Sequence, residues 1–159
     1  MKKNYCIIGT GRQGTSAAYD LLKYADINQL LLLDCDQRSI SDCLKRIQPV
    51  ILDKKVISSV IDFNDQNILI KKLENVDIFL SSVPYCYNLM LTKIALTTST
   101  SMIDLGGHTG NVIKQLNYDQ EAKKENITIV PDCGMGPGMN VTMALLAMEH
   151  FDKPQEVRI

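Results

Sequence analysis

Short apolar runs, each closed by Gly, Pro or Asp, alternate along this chain with segments whose apolar residues recur every three or four positions. Residues 5–8, Tyr-Cys-Ile-Ile, stop at Gly9 and read as a buried strand. Residues 16–24 place Ala17, Ala18, Leu21 and Leu22 on one helical stripe. Residues 30–33 form a second buried strand ending at Asp34; Asp36 then caps a helix to about Ile47, with Pro49 just beyond. The β-branched stretch 56–61 is a third strand and 67–73 a short helix. Residues 77–83 are a fourth strand stopped by Pro84, and 88–96 a helix. Residues 101–105 are a fifth strand stopped by Gly106 and Gly107. A helix with a charged outer face spans 112–124, and residues 127–130 are a sixth strand stopped by Pro131. After the turn Gly134-Met-Gly-Pro-Gly138, a last helix runs through Met139, Met143 and Leu146 to about His150.

Six strands alternating with helices predict an α/β fold, because parallel strands need crossover connections and these are right-handed. The expectation is a Rossmann-type doubly wound parallel sheet of strand order 3-2-1-4-5-6. The chain has 159 residues. Residues 1–150 are expected to complete a dinucleotide-binding domain. Residues 151–159 read as a linker and the first strand of an absent substrate or dimerisation domain.

Composition narrows the function classes. Seventeen Lys and Arg against eighteen Asp and Glu give a formal charge of −1, and no basic tract is present, which argues against a dedicated nucleic-acid binder. No apolar run approaches the ~20 residues of a membrane span, and the N-terminus lacks the apolar region and cleavage site of a signal peptide. Five cysteines without a C-x-x-C pair fit a reduced chain, so the cytoplasm is the expected location.

Gly9-Thr-Gly-Arg-Gln-Gly14 closes a strand and opens a helix, and Asp34 follows at the end of the next strand. This is the full context of the dinucleotide fingerprint. Gly9 allows the tight turn, Gly11 the close approach of a pyrophosphate, and Gly14 close packing of helix on strand. The helix N-terminus offers N–H groups and partial positive charge to phosphates. Asp34 is expected to accept hydrogen bonds from the adenosine ribose hydroxyls and to repel a 2′-phosphate. NAD is therefore favoured over NADP, although Arg38 partly offsets that repulsion. Arg12 and Gln13 lie in the same turn; Arg12 either meets a phosphate or is solvated.

Ligands of doubly wound sheets lie outside the carboxyl ends of the strands. The loops there are Ser81-Ser82-Val83-Pro84-Tyr85, Asp104-Leu-Gly106-Gly-His108 and Pro131-Asp132-Cys-Gly-Met-Gly-Pro-Gly-Met-Asn140. Asp104 and Asp132 read either as site carboxylates or as turn caps. His108 suits proton transfer beside a cofactor, or is a surface histidine. Tyr85 and Tyr87 either stack on the cofactor ring or pack in the core. Met135, Met139 and Met143 recur at helical spacing and are expected in the core.

With these loops the sequence resembles the saccharopine dehydrogenase-like family, most closely its lysine 6-dehydrogenase branch. The glycine turn, Ser82-Val83-Pro84, Asp104-Leu-Gly-Gly-His-Thr-Gly110 and Pro131-Asp-Cys-Gly-Met-Gly-Pro-Gly-Met139 carry the resemblance. It implies a nicotinamide-dependent oxidoreductase acting at a C–N bond of an amino acid. The cofactor would be held by Gly9, Gly11, Arg12, Gln13, Gly14, Asp34, Ser82, Val83, Pro84 and Gly106. His108 and Asp132 would serve proton handling, with Asp104 as an orienting partner. A small amino-acid substrate and a homo-oligomer of a longer polypeptide are implied, and this portion alone is not expected to catalyse. The competing reading is a nucleotide-binding regulatory domain of a potassium channel or transporter, which fits residues 5–84 but does not need the Asp-Leu-Gly-Gly-His or Gly-Pro-Gly-Met segments.

Overall fold

Successive residues of a strand serve opposite faces of its sheet, and here the two faces select different helices. In a computed structural model that describes residues 2–158, the strands are β1 (Lys3–Ile8), β2 (Ile27–Asp34), β3 (Lys55–Val60), β4 (Ile78–Ser81), β5 (Ser101–Asp104) and β6 (Ile129–Val130). Every pairing is parallel, in the order β3-β2-β1-β4-β5-β6. The strand order is the one the sequence predicts.

Between them lie α1 (Arg12–Tyr24), α2 (Gln37–Ile51), α3 (Gln66–Leu73), α4 (Asn88–Thr97), α5 (Thr109–Leu116) and α6 (Asp119–Lys124), and α7 (Met139–Met148) follows β6. Ile7, Leu30 and Leu32 pack against Ala18 and Leu22 of α1 and Cys43 and Ile47 of α2. Ile8, Leu31, Leu33, Phe79 and Met102 point to the other face, against Leu69 and Leu73 of α3 and Leu91 and Ile94 of α4. Near-continuous apolar strands are what a sheet buried on both faces requires.

Several boundaries differ from expectation for local reasons. The first helix opens four residues early, at Arg12, so Gly14 lies in its first turn. α2 continues past Pro49 to Ile51; the proline sits in the last turn, where its missing N–H costs few ladder bonds. The expected single helix over 112–124 is two, because the Tyr118 amide bonds back to Gln115 O at 3.0 Å and the chain leaves the α-helical path there. β6 pairs over two residues only.

The methionine stripe is a correction. Met135, Met139 and Met143 are 64%, 50% and 59% exposed, and no residue of α7 is buried. Apart from Asn140 and Thr142, α7 is apolar all round, so helical spacing of its methionines does not identify a core-facing side. Residues 151–158 form no helix or strand, so the strand expected to begin there is not formed among the described residues. Ile159 lies outside them.

Candidate dinucleotide site and the loops beyond it

The glycine turn is built as a cradle. Gly9 has φ of +95°, and a Cβ there would meet the Ser82 carbonyl oxygen at 2.8 Å. A Cβ on Gly14 would land on the Gly9 carbonyl oxygen, so only glycine lets α1 approach the strand so closely. Gly11 is the opposite case: a Cβ there meets nothing within 4 Å, so the space in front of it is open. α1 begins at Arg12 without a side-chain cap, leaving first-turn N–H groups for an anion. The turn therefore fits a pyrophosphate by its geometry.

Asp34 is buried and tied into this turn. Its Oδ2 accepts from the Thr10 N–H at 2.6 Å and the Thr10 hydroxyl at 2.9 Å, and its Oδ1 from the Asp36 N–H at 3.0 Å. A carboxylate has about four acceptor sites. Asp34 thus keeps room for a ribose hydroxyl while it also fixes the loop, a second duty not anticipated from the sequence. The partner that reveals it, Thr10, is the middle residue of Gly-Thr-Gly. Beside it, Arg12, Ser39 and Arg46 with Asp42 line a small cavity of about 150 Å³. Arg38 is exposed at the start of α2, where Asp36 caps the helix by accepting from the Arg38 and Ser39 amides at 2.9 and 3.3 Å. These hydrogen bonds hold the Asp36 carboxyl below its ordinary range.

Ser82 joins the turn to β4: its hydroxyl lies 2.5 Å from Gly9 O and 3.1 Å from Ile8 O. Val83 packs against Gly9, its Cγ1 2.9 Å from where a Gly9 Cβ would stand. Pro84 opens a short 3₁₀ turn, Tyr85–Tyr87. The two tyrosines separate in role. Tyr87 packs on Phe63 at 5.8 Å between centroids, whereas Tyr85 is exposed and stacks on His108 at 5.3 Å.

His108 is the N-cap of α5. Its Nδ1 accepts from the Asn111 N–H at 3.2 Å, which leaves Nε2 to carry the proton of the neutral ring. Asn111 also donates to Tyr85 O at 3.0 Å, so ring stack and helix cap support one another. Asp132 has φ of +62°, and a Cβ on Gly106 would land on its carboxylate. That is the close approach for which Gly106 is needed.

Asp104 is wholly buried. Its Oδ1 accepts from the amides of Gly106 at 2.8 Å and Asp132 at 3.0 Å, its Oδ2 from Gln115 Nε2 at 2.7 Å, and its main-chain oxygen from the Cys133 amide at 2.7 Å. It cannot meet a substrate. The orienting part expected of it is confined to the two loops, and no hydrogen bond links it to His108 among the described residues.

His108 and Asp132 line one open cavity of about 620 Å³ with Gly107, Thr109 and Gly110. Gln13, from the glycine turn, lines an adjacent cavity of about 340 Å³ with Cys133 and Met139, and Leu105 and Met135 border both. The two cavities share Leu105 and Met135 in their walls, so the histidine and carboxylate lie next to the cavity that Gln13 of the glycine turn lines. The described residues contain no group of three His, Cys, Asp or Glu placed to hold a metal ion. No described helix is long and apolar enough to cross a membrane.

Comparison with known proteins extends the same picture. Over 153 residues the chain is 25% identical to the saccharopine dehydrogenase [NADP(+), L-glutamate-forming] of Saccharomyces cerevisiae, covering 96% of this chain and 32% of that protein. The apo structure of the saccharopine dehydrogenase (L-Glu forming) from Saccharomyces cerevisiae superposes with a TM-score of 0.69 at 24% identity, over 92% of this chain and 31% of that one. Shikimate dehydrogenase of Mycobacterium tuberculosis shares the fold at a TM-score of 0.65 and 9% identity, over 96% of this chain and 52% of that one. The chain thus spans about a third of the length of the saccharopine dehydrogenase it matches. The model of the saccharopine dehydrogenase NADP binding domain matches residues 5–130, a stretch that runs past the glycine turn through Asp104 and His108 to the end of β6. The regulatory-domain reading, which fits residues 5–84, does not account for this longer match; with its cradle, its buried acid and the loops beyond them, the chain belongs to the saccharopine dehydrogenase NADP-binding domain family, a domain for a nicotinamide cofactor.

Proposed function

We propose that this chain is the cofactor-binding portion of an oxidoreductase that moves hydride between a C–N bond of an amino acid and a nicotinamide cofactor, with NAD preferred. The observation that carries the reading is that the cavity of His108 and Asp132 borders the cavity of Gln13, with Leu105 and Met135 in the walls of both. A dinucleotide laid from the cradle toward these cavities brings its nicotinamide end to His108 and Asp132. When bound, the nicotinamide accepts or returns the hydride.

The rest falls to side chains of this chain. The α1 N-terminus and the open space at Gly11 receive the pyrophosphate. Asp34 accepts from the adenosine ribose. The Asp132 carboxylate takes the proton that must leave the amine as the C–N bond is oxidised, and His108 Nε2–H donates a hydrogen bond beside it. The relative's name, saccharopine dehydrogenase, supports a secondary amine between two amino-acid skeletons as the substrate; the lysine 6-dehydrogenase resemblance supports a primary amine. The remaining two-thirds of the relatives' length is the proposed source of most substrate contacts.

A second reading, NADP, is favoured by Arg12, Ser39 and Arg46 around one cavity at the adenosine end. Against it, Asp34 and Asp42 place like charge beside a 2′-phosphate. Calorimetric titration with NAD and with NADP decides between them. Tighter NAD binding is expected; NADP binding more tightly overturns the preference, and no heat with either overturns the cofactor assignment. Reduced-nicotinamide absorbance with saccharopine or lysine, measured on the native gene product, tests the reaction.

A further inference from the structure

Behind the cavity that holds His108 and Asp132, a run of buried polar side chains crosses from β4 to β5 through two helices. Ser81 Oγ bonds to Asn88 Oδ1 at 2.8 Å, Thr92 Oγ1 to Asn88 O at 2.9 Å, Gln115 Nε2 to Thr92 Oγ1 at 3.0 Å, and Gln115 Nε2 to Asp104 Oδ2 at 2.7 Å. Each of these five residues is at most 3% exposed. Asp104 then delivers the run to the surface loops, because its other oxygen holds the amides of Gly106 and Asp132.

Gln115 is the joint. Both N–H groups of its amide are spent on acceptors, while its Oε1 is buried without a partner among the described residues. A 180° turn of the amide would set Oε1 against the Asp104 carboxylate, so the orientation with the orphan oxygen is the better one. A buried acceptor left unpaired is a cost that an apolar residue would avoid. What an apolar residue would lose is the donor to Asp104 Oδ2. Gln115 also lies in the helix that His108 caps.

We propose that Gln115 is a positioning residue: by holding Asp104 Oδ2 it reserves Oδ1 for the amides of Gly106 and Asp132, and so sets the two loops that present Asp132 and His108. Its importance for catalysis rests on the dehydrogenase reading above; the positional role does not.

The test exchanges the partners. Gln115→Glu alone brings two carboxylates together. Asp104→Asn alone is the milder change, because a 180° turn of the Gln115 amide lets Oε1 accept the new N–H. In the double variant the amide introduced on β5 keeps its oxygen toward the loop amides, and its nitrogen donates to the carboxylate introduced on α5. Hydrogen exchange of the Gly106 and Asp132 amides, read by NMR against the core amides of Ile7 and Leu32, is expected to rise about tenfold or more in Gln115→Glu and to fall back several-fold toward wild type in the double, as the strength of hydrogen bonds to a charged group predicts. Exchange that rises equally at all four amides in Gln115→Glu, a Gln115→Glu protein that leaves Gly106 and Asp132 unchanged, or a double no better than Gln115→Glu would each overturn the proposal. Gln115→Met, which keeps the volume without a donor, should give the same selective rise if the partner exchange prevents folding; an unchanged rate there overturns it equally. NAD titration of the same proteins reads the cofactor assignment separately: a wild type that binds no NAD refutes that assignment and leaves the amide result standing.

Discussion

Gly11→Ala separates the cradle's structural from its binding duties. In the folded chain Gly11 has φ −62° and ψ −162°, a conformation open to any L-residue, and its Cβ would touch nothing within 4 Å. Replacing glycine at a compatible position gains about 0.4–1 kcal/mol through the unfolded state. Alanine is a poorer N-cap than glycine by a few tenths to about 1 kcal/mol, so the two effects nearly cancel. Without ligand, Tm should stay within about 2 °C of wild type, at ~2–4 °C per kcal/mol for a domain of this size. With NAD at 100 times its Kd, wild type gains about 2.7 kcal/mol, or roughly 5–11 °C. A methyl in the pyrophosphate's path that weakens binding tenfold cuts this to about 1.4 kcal/mol at the same concentration, halving the shift. Differential scanning fluorimetry of both proteins, with and without NAD, measures all four values. Gly14→Ala is the contrast: its Cβ collides with the Gly9 carbonyl, and overpacking of backbone costs about 1–3 kcal/mol before any ligand is added. A Gly11→Ala protein that keeps the full NAD shift would refute the cradle, since the space in front of Gly11 would then hold no phosphate.

Three other outcomes follow from particular contacts. Asp34→Asn leaves one oxygen to serve what two now serve for Thr10 and Asp36, so Tm should fall by the ~1.5–3 kcal/mol of a charged hydrogen bond, while NADP affinity rises relative to NAD; an unchanged NADP-to-NAD ratio would remove Asp34 from cofactor selection. Asp77 is held below the ordinary carboxylate value of 3.8 chiefly by the Asn4 N–H at 2.7 Å and then by Lys3 at 3.1 Å. Because the folded value is the depressed one, its contribution is present above the unfolded value and is lost as pH falls through the folded value; the Tm of Asp77→Asn should therefore decline less steeply than wild type below about pH 4, and parallel curves would show the contact to be neutral. In α7, Leu145→Lys with Leu146→Lys should lower Tm by no more than about 2–4 °C, since surface changes stay within ~0.5 kcal/mol each and both leucines are over half exposed; a loss of about 8 °C or more in thermal melts would mean the helix is packed after all.

What could be read from the chain, and what could not, divides along the range of the interactions. β1, β2 and β4 announce themselves because a strand buried on both faces is a local apolar run, and the parallel order follows once strands alternate with helices. The glycine turn is equally local: Gly9, Gly11 and Gly14 have different tasks within six residues, and the structure sets Gly9 against Ser82, Gly14 against Gly9 and Gly11 before open space. His108 as a cap was not legible, because the sequence pattern starts the helix at 112 whereas α5 opens at Thr109, directly after the histidine. The other failures are longer-range. Met135, Met139 and Met143 repeat at helical spacing, but α7 is apolar all round apart from Asn140 and Thr142, so periodicity within it carries no facing information. β5 and β6 are strands as the sequence predicts, but their exposure is not local: Ile103 and Val130, paired in register on the face that α1 and α2 cover at the other end of the sheet, remain 36% and 37% exposed.

Asp104 is the most instructive case. As an acid at a strand end it looks like Asp34, and both can be read as ligand-facing groups. Each is buried and gives one oxygen to backbone amides, yet their second oxygens differ. Asp34 Oδ1 meets only the Asp36 amide at the strand's mouth, whereas Asp104 Oδ2 is claimed from below by Gln115, eleven residues on and in another element. That partner separates the two: an acid with acceptor capacity left at the mouth of the sheet has room for a ligand hydroxyl, and one filled from within can only hold its neighbouring loops. No spacing in the sequence distinguishes the two, because the distinction is made by a glutamine on the opposite side of the carboxylate.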